Sequence, residues 1–166
     1  MATGLNITFT DIKKHTALNG NVDEDKIAAF LKIAIDIHLQ NYLGTDLNDK
    51  IHADIVAATL AGDYITLNNT YIKPMIIHWA MVEYLPWAAF SIQNKGVYRH
   101  GSETSESVAK NEIDYLVEKE RDIAEHYTQR LIDYLCNNNS LFPEYSTNSN
   151  GDVSPDKDTT FSGWVL

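Results

Sequence analysis

The sequence predicts an all-α fold: about four main helices in a compact bundle, a long loop between the third and fourth, and an extended C-terminal arm. Three observations carry that expectation. Apolar residues recur at three- and four-residue spacing over long windows. Helix start and stop signals bracket those windows. The 166 residues, 44% hydrophobic and 22% charged, have the composition of an ordinary globular protein and suit one domain with a core of its own. Residues 1–21 read as an N-terminal lead-in, 22–139 as the helical domain and 140–166 as the arm.

The lead-in contains ITFTDIKK, a short strand or turn running into one helical turn, and Asn19-Gly20-Asn21 breaks it. The first helix spans Val22–Gly44. Asp23, Glu24 and Asp25 stand where the positive end of the helix dipole favours acids, and Gly44 is a C-cap. Its polar residues Lys32, Asp36 and Gln40 form one narrow stripe, and almost everything else is apolar. A helix of that kind is buried on several sides, so part of its surface is expected to face another subunit. The second helix, Thr45–Gly62, opens on a capping signal at Thr45 and shows one apolar face of Leu47, Ile51, Ile55 and Ala58.

The third helix starts near Leu67. Between Met75 and Phe90 only His78, Glu83 and Pro86 interrupt its apolar residues. The run is shorter than the roughly 20 apolar residues that cross a bilayer, so it reads as a core helix, with Pro74 in its early turns and a kink or break at Pro86. The loop Gln93–Ser107 follows, with Val97-Tyr98-Arg99-His100 as its one bulky and basic stretch. The fourth helix, Ser105–Asn139, has an apolar stripe through Val108, Ile113, Leu116, Ile123, Tyr127, Leu131 and Leu135. From Ser140 the chain is polar, with two prolines and no period, which reads as an arm unable to bury enough apolar area to order itself. It ends on an apolar tip, Phe161, Trp164, Val165 and Leu166.

Charge narrows the functions. A net charge of −10, from 23 acidic and 13 basic residues, argues against a protein whose task is to grip nucleic acid, but suits one that DNA slides past. The single cysteine, Cys136, excludes an intrachain disulfide and fits a reducing compartment. The opening MATGLNITFTDIKK has neither a basic leader nor an apolar core, so no signal peptide is expected.

Chemistry-bearing residues are scattered. Asp49, His52 and Asp54 lie close on the second helix, and Asp122 and His126 are one turn apart on the fourth. Each group supplies at most part of a metal site, and surface helices carry such pairs routinely. His78 and Glu83 on the buried helix could serve as acid and base, or as core polar groups that find partners. Cys136 has no base beside it. The expectation is therefore a protein without catalytic, cofactor or metal residues. The alternatives are a helical-bundle enzyme or metal protein using His78, Glu83 and the His126 region, and a cytoplasmic regulator that binds a partner through its tip.

The order of certain phrases carries a resemblance. A helix ends LQNYLGTDL, the buried helix reads YIKPMIIHWAMVEYLPWAAFSIQNKGV, and the fourth closes ERDIAEHYTQRLIDYLCNN before FPEY. Over Val22–Tyr145 the chain resembles head–tail connector proteins of tailed bacteriophages, above all those of Bacteroidetes phages and prophages, such as the ring protein below the portal in crAss-like phages. The resemblance implies a non-enzymatic, all-α virion subunit, made in the host cytoplasm. It would form a homo-oligomeric ring, commonly twelve-fold, under the portal protein. The ring would extend the channel for double-stranded DNA and receive the next neck or tail ring protein, with no cofactor and no membrane. In that setting the partner contacts are Val97, Tyr98, Arg99 and His100 on the loop, with Arg99 near phosphate. The arm after Tyr145 lies outside the resemblance; from its own residues, a polar segment ending on exposed aromatics, Phe161, Trp164, Val165 and Leu166 are expected to tether the tip to another chain.

Overall fold

The computed structural model describes residues 5–18, 24–88, 90–93, 96–99, 110–148 and 152–157. The lead-in is already part of the core: Leu5, Ile7 and Ile12 are buried. Thr8 caps α1 (Phe9–His15). Its hydroxyl accepts the Asp11 N–H at 3.2 Å, while the Asp11 carboxylate accepts the Thr8 N–H at 3.0 Å. Two of the orphan donors at a helix start are satisfied reciprocally in this way.

The first long rod is α2 (Glu24–Ala34), a π-helical turn (Ile35–Leu39) and α3 (Gln40–Leu43). Gly44 closes it with φ +73° and its N–H on the Gln40 carbonyl. A β-carbon there would lie 2.7 Å from Pro155, so both the backbone angle and the close approach select glycine. The second helix, α4 (Thr45–Val56), is shorter than its pattern predicts. Ala58 turns to positive φ, and the Thr59 N–H folds back onto the Asp54 carbonyl at 2.8 Å.

The second rod is α5 (Asp63–Thr66), a π turn (Leu67–Ile72) and α6 (Lys73–Ala88). Pro74 thus lies inside a continuous rod, immediately after the π turn. Proline removes an N–H and presses its ring on the preceding turn; the wider π turn just before it is where such a ring is accommodated. Helical bonding passes Pro86 and stops at Ala88, so this proline marks the last turn and does not break the helix. From Pro74 to Val82 every residue is buried. α6 is the central strut, packed on α2 along one flank and on α7 (Lys110–Asn137) along another.

Part of the expected loop is a hairpin. β1 (Phe90–Gln93) pairs antiparallel with β2 (Gly96–Arg99), Phe90 opposite Arg99 and Gln93 opposite Gly96. The start of the arm is also structured. A 3-10 turn (Asn139–Leu141) leads into α8 (Pro143–Thr147), which packs on α4. Phe142 and Tyr145 are fully buried, so the core runs beyond the residue 139 boundary that composition suggested. Phe142 and Tyr145 anchor this segment, although its average polarity is high. Among the described residues the fold is all-α with one small hairpin.

Candidate functional site

Residues 152–157 have no regular secondary structure, yet they are fastened to the α3–α4 corner. A helix start leaves N–H groups without partners, and here the arm supplies them. The Thr45 N–H donates to the Val153 carbonyl at 3.0 Å. The Asp46 N–H donates to Asn148 Oδ1 at 3.3 Å. Thr45 was expected to cap α4 with its own hydroxyl, but Gly44 is the cap residue. The Thr45 hydroxyl instead accepts the Val153 N–H at 3.0 Å and the Gln40 amide at 3.1 Å. Gln40 also donates to Asp152 at 3.2 Å, and the Asp156 N–H donates to the Asn41 carbonyl at 2.7 Å. Asn148, in the left-handed region at φ 32°, donates its amide to the Val153 carbonyl at 3.0 Å. The arm is held largely by its main chain and clasps the same chain as far as Asp156.

The buried polar groups of α6 find partners. His78 Nδ1 lies 2.8 Å from a Glu120 carboxylate oxygen, and its ring stacks on Tyr127. Its partner is Glu120, not Glu83. Trp79 Nε1–H donates to Thr128 Oγ1 at 3.0 Å, and that hydroxyl donates to the Ala124 carbonyl at 2.8 Å. The His78–Glu120 and Trp79–Thr128 contacts cross-link α6 to α7. On the other flank the Trp79 indole stacks on His38, centroids 4.0 Å apart. Glu83 Oε1 stands 3.9 Å from His38 Nε2, beyond hydrogen-bond reach. Burial holds the imidazole neutral, its pKa pushed down from 6.5 to about 4.

The other candidates separate. Asp54 pairs with Lys50 at 2.8 Å, and Asp122 with Lys119 at 3.4 Å. His126 meets the edge of Tyr127, and Cys136 is exposed. Among the described residues no group of three or more His, Cys, Asp or Glu could hold a metal ion, and no helix is long and apolar enough to cross a membrane. Val97, Tyr98 and Arg99 lie on β2. His100, Phe161, Trp164, Val165 and Leu166 lie outside the described residues. Sequence reasoning passed over His38, Glu120 and Thr128. Thr128 had a legible signal, since it sits beside Tyr127 and Leu131 on the apolar stripe of its helix.

Several large apolar side chains remain in solvent. On α7, Tyr115, Leu116 and Ile123 are exposed, Leu116 to 47%. Beyond the other end of α7, Leu141 is exposed, as is Ile65 on α5, to 42%. Those last two share one end of the molecule, where Tyr64 sets its ring edge against Phe142 and donates its hydroxyl to Glu144 at 2.7 Å. A third group, Ile33 and Ile37, lies on the first rod.

Residues 39–155, well over half of the chain, match a family of unknown function, DUF6712, and the chain belongs to that family. The matched span takes in both sides of the clasp, from α3 to Pro155. No curated protein and no solved structure matches the chain.

Proposed function

We propose that this DUF6712 protein is a structural subunit of a phage neck, a head–tail connector whose ring sits under the portal, extends the DNA channel and joins capsid to tail. The observation that carries this reading is the presence of two unlike apolar faces near opposite ends of α7. Leu116 lies about 30 Å along the helix axis from its C-terminal end, at 1.5 Å per residue, and the Ile65–Leu141 face lies just past that end. A ring closes through heterologous contacts, in which one face of each subunit meets a different face of the next. Exposed apolar side chains grouped on such faces mark association surfaces.

The fold supports the same reading through the phrases of the resemblance, which fall on α3, α6 and α7. Its polar core groups stitch helices together: His78 and Trp79 hold α6 to α7. The net charge of −10, multiplied around a ring, makes a channel to which DNA does not adhere. The hairpin faces the channel or a neighbouring ring. The partners in this reading are other copies of the chain, the portal protein, the next neck protein and the passing DNA, in the virion.

The test is the mass of the purified protein by light scattering, with negative-stain images, alone and after addition of the portal protein of the same phage. Ring-shaped oligomers in either condition are the expected result. A monomer in both overturns the proposal.

A further inference from the structure

We infer that Lys119 on α7 of one subunit pairs with Asp63 on α5 of the next, a contact that rests on the ring reading above and fixes how its two apolar faces meet. Three observations point to this pair.

The first is where Lys119 stands. It follows Tyr115 by four residues and Leu116 by three, and precedes Ile123 by four. Such spacings put all four side chains on one face of a helix. The three apolar neighbours are exposed, and the Lys119 ammonium lies 5.7 Å from the Tyr115 ring centroid. A cation therefore sits in the middle of this apolar face. Its partner within the chain is Asp122 at 3.4 Å, and both side chains are more than half exposed. A pair so open to water contributes little. Covering the face strips water from the ammonium, which then needs a carboxylate across the contact.

The second is the charge at the other face. Asp63 opens α5 two residues before Ile65, and it is exposed. Burial pushes the Tyr134 phenol above its usual range, and the Asp63 charge adds to that shift. Burial, the Glu144 hydrogen bond and charges that include Asp63 do the same for Tyr64. Both rings meet Phe142, the neighbour of Leu141, at centroid distances of 5.2 and 5.8 Å. Asp63 thus belongs to the Ile65–Leu141 end. The other carboxylates near Tyr64 are engaged: Glu144 accepts its hydroxyl at 2.7 Å, and Asp54 pairs with Lys50 at 2.8 Å. Among the described residues the Asp63 carboxylate has neither a hydrogen bond nor an ion pair. One face presents a central cation and the other a carboxylate without a partner, so a second copy of this chain is the complementary occupant.

The third is distance within one chain. Asp63 acts on Tyr134, which follows Lys119 by fifteen residues on α7. That is roughly 22 Å along the axis, at about 1.5 Å per residue. Lys119 and Asp63 of the same subunit are too far apart to pair, and only a neighbour brings them together.

The test is charge reversal in the full-length protein: Lys119→Glu, Asp63→Lys, and the two combined. Light scattering over a dilution series gives the concentration at which half the chains are assembled, and thermal unfolding checks the fold. Each single reversal sets like charges against each other and is expected to raise that concentration on the order of tenfold or more. The double reversal restores opposite charges and is expected to return it to within a few-fold of the native value. It carries both local changes at once, so recovery comes only from a contact between the two positions. Should a reversed chain fail to fold, Lys119→Gln and Asp63→Asn decide: if the two are partners, removing the second charge after the first weakens assembly no further. Single reversals that assemble like the native protein overturn the inference while the ring reading stands. Weakening without recovery in the double reversal, or additive losses in the neutral variants, likewise overturn the pairing alone. A native protein that stays monomeric with and without the portal protein overturns both.

Discussion

His38 sits on the π turn of the first rod with its ring against Trp79 and its Nε2 sealed from water without a hydrogen-bond partner. Folding lowers its pKa from 6.5 to about 4, so between those values the unfolded chain holds the proton and the folded chain does not. Stability therefore falls as pH drops through that window, and the loss is complete below about 4, reaching at most about 3 kcal/mol. The variant His38→Phe keeps a ring on Trp79 and cannot titrate. Urea unfolding at pH 7 and pH 5 should show the native protein losing about 2 kcal/mol more than this variant; parallel losses would refute the assignment. Gly44 is the second residue with a sharp expectation. Gly44→Ala meets φ +73° and a 2.7 Å approach to Pro155, a strain of about 1–3 kcal/mol. The amides of Val153 and Asp156, both bonded across the clasp, should exchange faster in that variant. Unchanged exchange would show that the clasp does not depend on glycine.

At the scale of elements, the Thr128 hydroxyl is one of the polar groups that stitch α6 to α7. Thr128→Val leaves the buried Trp79 N–H without an acceptor, which costs about 1–3 kcal/mol. Thr128→Ser should restore most of it, measured by thermal unfolding; equal losses in both would trace the effect to packing alone. The helices themselves were legible because burial of one face imposes a period on sequence. The greasy stretch around Met75–Val82 announced the central strut for the same reason. The π turns were not legible: a π turn shifts the hydrogen-bond partner by one residue without requiring a distinct residue type. Pro74 was the available sign of one, and its place in the early turns of a shorter helix concealed it. The hairpin was missed because its strands are four residues each and Asn94-Lys95 lacks the Asn-Gly signature of a two-residue turn. The arm was read as unable to order itself because composition averages hid Phe142 and Tyr145. Its later part is fixed by main-chain bonds at residues 153 and 156 that no side-chain pattern encodes.

For the whole molecule the decisive question is whether association is head-to-tail. In the proposed ring the α7 face around Leu116 meets the Ile65–Leu141 face of the next subunit, so each subunit brings one of each. Leu116→Glu spoils the first face and Ile65→Glu the second. Both residues are exposed in the single chain, so each change should leave folding stability within about 0.5 kcal/mol. A carboxylate buried at an apolar contact lacks a partner and disfavours assembly. Each variant alone then has no complementary pair of faces left between like molecules, and stays monomeric. Mixed together they retain one intact pairing: the Leu116 face of the Ile65→Glu chain against the Ile65 face of the Leu116→Glu chain. Growth stops there, since the remaining two faces both carry the charge. Light scattering of the mixture should thus report a one-to-one dimer where the native protein forms the ring. A two-fold contact behaves oppositely, because a face that meets its own copy lets one variant dimerise alone and gains nothing from mixing. Dimers of a single variant, or a mixture that remains monomeric, would rule out this head-to-tail pairing.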